Sequence, residues 1–198
     1  MERSYAPLPS HGMEPGTTFQ QPVLPEPKRV RPDDPALEVM TDFRRVRAIT
    51  VAPGAFMDYA RQRMRANGVH LLLVVDERNG LLGLITSTDI EGDKPVRLVH
   101  DRGLRRAEIT VGDVMTPRER LEVIPFEAVQ SARVGHVVAT LKAVGRQHAM
   151  VVDRDAQGRQ RVRGLFAVSQ LNRQLGSALQ PLEVARNFAE VETALGSA

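Results

Sequence analysis

The chain repeats itself. Val39-Met40-Thr41 returns as Val114-Met115-Thr116 after 75 residues, Val74-Val75-Asp76 as Val151-Val152-Asp153 after 77, and Gly83 as Gly164 after 81. The drift in spacing is small and falls in loops, where insertions are tolerated. A period of this length means two copies of one supersecondary unit, and two such copies are expected to bury a shared face.

Each copy reads alike. A short extended piece ("RAITVAP"; "ERLEVIP") precedes a helical segment ("AFMDYARQRMRANG"; "SARVGHVVATLKAVG") that stops at Gly68 or Gly145. Met57, Ala60 and Met64 in the first helix, and Val134, Val137, Val138 and Leu141 in the second, recur at helical spacing. Two apolar strands follow, "HLLLVVD" and "LLGLIT" joined by "ERNG" in the first copy, "HAMVVD" and "VRGLFA" joined by "RDAQGRQR" in the second. A further helix starts near Ser87, and its counterpart near Ser169. The order is β-α-β-β-α twice, an α+β class.

The rest of the chain falls outside these units. Residues 1–35 hold eight of the thirteen prolines and show no apolar periodicity, so they read as a disordered arm. The first repeat spans 36–92, a connection runs over 93–110, the second repeat spans 111–175, and 176–198 form a tail. Leu182, Ala185, Phe188, Ala189 and Glu192 predict an amphipathic helix in that tail.

Composition closes several routes. There is no cysteine, hence no disulfide or thiolate metal site, and a reducing compartment is expected. No apolar run approaches the roughly 18–20 residues of a membrane span, and no signal-type apolar segment opens the chain, so a cytoplasmic protein without membrane contact is expected. The net charge is +3, but 27 basic and 24 acidic residues are interspersed, with no aromatic interleaving; a basic nucleic-acid-associated accessory factor is the weakest of the readings carried. His11, His70, His100, His136 and His148 lack metal-ligand spacing. Asp153 to Gly158 has the start of a calcium loop, but Gly164 stands where its closing Glu belongs, so a hairpin turn is expected. No Walker loop, G-x-G-x-x-G, nucleophile elbow or carboxylate pair is present, and catalysis is not expected.

One polar cluster stands apart. The strand ending at Ile85 runs into Thr86-Ser87-Thr88-Asp89, three hydroxyls beside one carboxylate. These groups either cap the following helix or hold a ligand, and a single set can do both.

Met-Thr, an extended stretch ending in Pro, a helix, "GVHLLLVVD" and "GLITSTDI", in that order and in large part twice, resemble the CBS (cystathionine β-synthase) domain. The tandem arrangement resembles a CBS pair, or Bateman module, over about residues 36–175. The resemblance implies a pseudo-two-fold regulatory module, without a required cofactor, that binds an adenosine-containing ligand between its repeats. AMP, ADP or ATP is expected, with S-adenosylmethionine, NADH or cyclic di-AMP as further members of the class.

The same resemblance assigns roles. Asp89 takes the ribose hydroxyls, Thr86 and Thr88 contact ribose and phosphate, and the helix start offers N–H groups to an anion. His70 falls near the phosphate, although Leu71 stands where an Arg often follows; a strand-edge histidine satisfied by backbone is the alternative. Thr116 and Leu121 frame the adenine from the partner repeat, with Arg118, Arg120 and Arg146 nearby. In the second copy Ala167 replaces Thr86 and Gln170 replaces Asp89, so the cleft of Thr41, Val46 and Gln170 is expected to be weak or vacant. A homodimer is expected, through the apolar helix positions Met57, Met64, Val137, Val138 and Leu141, along with an unidentified regulated partner. The competing reading is a structural or interaction protein with vestigial clefts.

Overall fold

In the computed structural model, residues 6–20 and 28–176 are described. In chain order the elements are β1 (Thr41–Asp42), β2 (Thr50–Val51), α1 (Met57–Asn67), β3 (Leu71–Val75), β4 (Leu81–Thr86), α2 (Ser87–Glu91), α3 (Asp93–Arg102), α4 (Val111–Val114), β5 (Thr116–Pro117), β6 (Val123–Pro125), α5 (Phe126–Ser131), α6 (Val134–Ala143), β7 (His148–Arg154), β8 (Gln160–Ala167) and α7 (Val168–Leu175). The order β-α-β-β-α is present in both copies. Gly68 ends α1 in the left-handed conformation, at φ 62°, which costs a residue without Cβ nothing.

The strands form two four-stranded sheets, ordered β2-β3-β4-β5 and β1-β8-β7-β6. Three strands of each sheet come from one repeat, and the fourth is supplied by the other. Thr116 pairs with Leu84 and Pro117 with Gly83; Thr41 pairs with Leu165 and Asp42 with Gly164. The two landmarks of the sequence repeat therefore meet at this exchange. A Cβ on Gly83 would lie 2.3 Å from the Thr116 carbonyl oxygen, and one on Gly164 would lie 2.3 Å from that of Thr41. Only glycine admits the crossing strand so closely.

Because both faces of each sheet are covered, the central strands carry unbroken apolar runs rather than an alternation, Leu71–Val75 in β3 and Ala149–Val152 in β7. Leu72, Val74 and Ile85 pack under Met57, Ala60 and Met64 of α1. Val151 and Phe166 pack under Val134, Val137 and Leu141 of α6. Leu71, Leu73 and Leu84 meet Met150, Leu165 and Ala167 between the sheets, the shared face that the repeat predicts.

The exchanged strand β1 is only two residues long and is secured by charge. Arg163 donates to both carboxylate oxygens of Asp42, at 2.9 and 2.8 Å, and its guanidinium lies 4.2 Å from the Phe126 ring centroid. This bidentate pair holds the Asp42 carboxyl down to about 2. Arg163 lies in a stretch dense in arginine but is largely buried.

Two further expectations meet the structure differently. The helix positions assigned to a dimer face are buried within the chain itself: Met57, Met64, Val137, Val138 and Leu141 are all at most 8% exposed. Segments from outside each repeat cover them: Ile109 of the connection with Val111 and Val114 of the second repeat join the first core, and Val30 of the arm with Ala36 and Val39 of the first repeat join the second. The connection 93–110 itself carries α3, closed by Gly103. Asp155 does close a hairpin turn as expected, accepting from the backbone N–H of Gln157 and Arg159. The amphipathic tail helix lies outside the described residues.

The arm is not uniform. Residues 6–20 are exposed and without strand or helix, whereas residues 28–35, assigned to the same arm by composition, are docked. Val30 is buried and its N–H bonds Gln174 at 3.0 Å. The carbonyls of Pro32 and Asp34 accept from Gly135 and Val134 at the open N-terminus of α6, at 2.8 and 2.9 Å. Deleting residues 1–20 is therefore expected to leave the melting temperature unchanged, while Val30→Ala costs about 1–3 kcal/mol. Urea melts of both proteins check this, and an unaffected Val30→Ala variant would show that the docked segment contributes nothing.

Candidate functional site

β4 delivers the polar cluster to the end of the first sheet, beside the exchanged strand. Thr86 is the N-cap of α2 in an extended conformation, and its hydroxyl accepts from the Asp89 N–H at 3.2 Å. Asp89 reaches back: its Oδ2 accepts from the Thr86 N–H at 2.9 Å and from the Thr86 hydroxyl at 2.8 Å. This is a reciprocal capping box, so the capping reading of the cluster is realised. The helix start offers less to an anion than its sequence suggests, because the Ser87 N–H also bonds the His70 carbonyl at 3.0 Å.

Asp89 is not the open, surface-facing carboxylate that a ribose site alone would suggest. It is 9% exposed. Its Oδ1 takes the Lys94 ammonium at 2.5 Å, and the same ammonium donates to the Val114 carbonyl at 3.0 Å. Lys94, from the first turn of α3, thus ties Asp89 to the backbone just before β5. Sequence reasoning passed over Lys94, since it lies beyond the repeat in what read as a connection.

The structure brings some candidate residues together and separates others. Thr116 on β5 lies opposite Leu84, two residues before Thr86 on β4. Leu121 packs at the margin of the apolar layer between the sheets. Thr88 is exposed on α2, and His70 is exposed at the approach to β3. His70, Ser87 and Ile90 line a cavity of about 200 Å³ together with Arg61 and Met64 of α1; none of Thr86, Thr88, Asp89, Thr116 or Leu121 lines it. Among the arginines, Arg118 pairs with Glu119 and Arg146 with Glu122.

The sequence singles out His148 for no role beyond its lack of metal-ligand spacing. It opens β7, opposite Ala167. Burial pushes its pKa down to about 4; the charge of His70 acts the same way, and the Asp89 carboxylate opposes both. A side chain of the second repeat therefore lies within electrostatic reach of the first repeat's cluster. The signal was available, because at an offset of 77 His148 is the counterpart of Leu71, the position where the resemblance leads one to look for a cation.

In the second cleft the Thr41 hydroxyl donates to the Gln170 side-chain carbonyl at 2.8 Å. Ala167 is buried in the layer between the sheets, and Val46 is exposed beyond β1. In each half the residue at the Asp89 position is thus tied to the exchanged segment, by Thr41 directly in one and through Lys94 in the other.

Two sheets of three strands, each completed by a strand from the other repeat, define a tandem two-repeat module with a polar seam at each exchange. Residues 44–93 match the family model of the CBS domain. An uncharacterized conserved protein from Pyrococcus horikoshii shares 22% identity at a TM-score of 0.53, over 76% of this chain and 98% of that one. The CBS domain pair of protein MJ0100, crystallised with 5′-methylthioadenosine and S-adenosyl-L-methionine, shares 19% identity at a TM-score of 0.50, over 75% of this chain and 100% of that one. No curated protein matches the sequence. Residues 44–93 are thus similar to the CBS domain, and the chain has the fold of a CBS pair. Among the described residues no helix is long and apolar enough to cross a membrane.

Proposed function

We propose that this chain is a regulatory module that binds an adenine nucleotide (AMP, ADP or ATP) at the Thr86–Asp89 cluster and signals its occupancy to a protein partner. The observation that carries the reading is the seam itself. A buried carboxylate of the first repeat is linked through one lysine to the backbone just before the strand that crosses into its sheet. A ligand engaging Asp89 from the cleft would contact both repeats and favour one arrangement of them, which is how differential affinity becomes a signal. Thr86, Thr88, His70, Thr116, Leu121 and His148 surround that position in the proposal. The adenosyl compounds bound to the CBS pair of protein MJ0100 support the ligand class.

A thermal-shift series with AMP, ADP, ATP, S-adenosylmethionine, NADH and cyclic di-AMP tests the reading. A ligand at 100 times its Kd stabilises by about 2.7 kcal/mol. Asp89→Ala removes both the cap and the partner of Lys94, and is expected to cost about 1–3 kcal/mol of stability as well as the ligand response. Asp89→Asn separates the two effects, since the Asn side-chain oxygen still accepts from the Thr86 N–H while the charge is gone. It is expected to fold normally and to bind ten- to a hundred-fold more weakly, about 1.5–3 kcal/mol. Calorimetry showing wild-type affinity in Asp89→Asn would remove Asp89 from the site.

The second reading, an interaction protein with vestigial clefts, is favoured by one observation: both seams are closed by contacts within the chain. It requires that no nucleotide shifts the melt. Assembly as a homodimer belongs to the proposal too, but through exposed apolar side chains such as Phe56 and Tyr59 rather than Val138. Light scattering would read it against the 21.9 kDa of one chain.

A further inference from the structure

Asp89 can be counted oxygen by oxygen. A carboxylate offers about four lone-pair sites. Oδ2 already accepts two donors, both from Thr86. Oδ1 accepts one, the Lys94 ammonium. With Lys94 in place a single acceptor site remains, so a ribose cannot present both of its hydroxyls to this carboxylate. For the pair to bind, the ammonium has to leave Oδ1.

Displacing it has a charge consequence. Asp89 is buried, and separating a buried carboxylate from its cation is unfavourable unless each finds a substitute. Two ribose hydroxyls replace the ammonium at Oδ1. The ammonium in turn needs an anion within reach of its new position. Lys94 can move: its side chain is half exposed, and a four-carbon stem carries a compact charge with freely rotating donors. The residue type fits that task, because the chain uses 24 arginines and only three lysines.

The second copy shows that carboxylate and lysine occur together. At the offset of 81 that relates Gly83 to Gly164, Asp89 corresponds to Gln170 and Lys94 to Leu175, which is buried in the apolar core. There the neutral amide is tied by the Thr41 hydroxyl.

We infer that Lys94 is a specificity-determining residue of the Asp89 site, selecting adenine nucleotides that carry a phosphate over neutral nucleosides and over cationic adenosyl compounds. The inference rests on the nucleotide reading above. A nucleoside monophosphate supplies both replacements in one molecule, the ribose diol for Asp89 and the phosphate for Lys94. Adenosine supplies only the first. S-adenosylmethionine brings a sulfonium toward the displaced ammonium, a like charge. Loss of the contact between Lys94 and the Val114 carbonyl accompanies the swing, which loosens the approach to β5 when a phosphate is bound.

Calorimetry with AMP, adenosine and S-adenosylmethionine on the full chain tests this, using wild type, Lys94→Met and Lys94→Gln. Lys94→Gln keeps a neutral donor for Asp89 and serves where Lys94→Met fails to give a cooperative melt. Wild type is expected to bind AMP at least about tenfold more tightly than adenosine or S-adenosylmethionine. In the variants AMP weakens about tenfold or more while adenosine holds or tightens, so the preference collapses. Lys94→Arg, which retains a cation, is expected to keep most of it. A wild-type protein that binds these ligands without preference, or a Lys94→Gln variant that keeps the wild-type ratio, overturns the role of Lys94 and leaves nucleotide binding standing. A folded wild-type protein that binds none of the three overturns both.

Discussion

Gly83→Ala is expected to lower both stability and ligand binding, whereas Gly164→Ala lowers stability alone. The added Cβ at either position would fall 2.3 Å from a backbone carbonyl oxygen of the exchanged strand, that of Thr116 or of Thr41. Backbone cannot rotate away as a flexible side chain can, so β5 or β1 must shift as a whole. Forced overpacking of this kind costs about 1–3 kcal/mol, which for a chain of this size lowers the melting temperature by roughly 3–10 °C. The consequences then diverge. At Gly83 the displaced strand carries Thr116, beside the Asp89 seam, so nucleotide affinity falls with stability. At Gly164 the displaced strand carries Asp42, so the bidentate pair with Arg163 is strained while the Asp89 side is untouched. Gly54→Ala is the control, since nothing lies within 4 Å of its Cβ position. Melts in which Gly83→Ala and Gly54→Ala coincide would show that the close approach is tolerated and that the glycines have another cause.

These glycines show how far the sequence could be read. Their spacing announced a repeat, and the periodicities of Met57, Ala60, Met64 and of the two apolar strands located helix and hairpin correctly. The reason for the glycines was not legible, because it lies in the other copy: a two-residue strand leaves no periodic trace, and nothing local says that Thr41 and Thr116 cross over. The same long-range exchange undid the argument for a dimer face. Met57 and Val138 look like surplus apolar surface only while Val30 is assigned to the arm, Ile109 to the connection, and Ala36 and Val111 each to the core of its own repeat. In the candidate site, residue type and spacing pick out Thr86 and Asp89 as a cap, a ligand site or both, and the cap is the part that the structure shows. Lys94 was not found. Its helix α3 follows Gly92 as an N-cap without a side chain and holds a proline in its first turn, so the segment gives weak local signals. His148 was hidden by a question too narrow, metal spacing, when its register against Leu71 was the informative comparison.

Acid should weaken this fold well before its carboxylates are protonated, and His148 is the reason. In the folded chain burial holds its pKa near 4, below the 6.5 expected of an unfolded histidine. Between those values the unfolded chain binds a proton that the folded chain refuses, so unfolding gains as pH falls. The stabilisation from keeping His148 neutral is complete above pH 6.5 and lost on descent to pH 4, a change on the order of 3 kcal/mol. Asp42 does not contribute in that window: its pair with Arg163 holds the carboxyl at about 2, so its share is present above 3.8 and lost only as pH falls toward 2. His70 and Asp89 act on His148 in opposite directions, and neither changes the sign set by burial. The discriminating variant is His148→Leu, which installs the residue that Leu71 supplies at the matching strand position of the first repeat, itself buried between the sheets. Urea midpoints of wild type are expected to fall steeply between pH 7 and 4.5, and those of His148→Leu to fall much less. Parallel curves for the two proteins would place the acid-labile group elsewhere and leave His148 without a part in holding the sheets together.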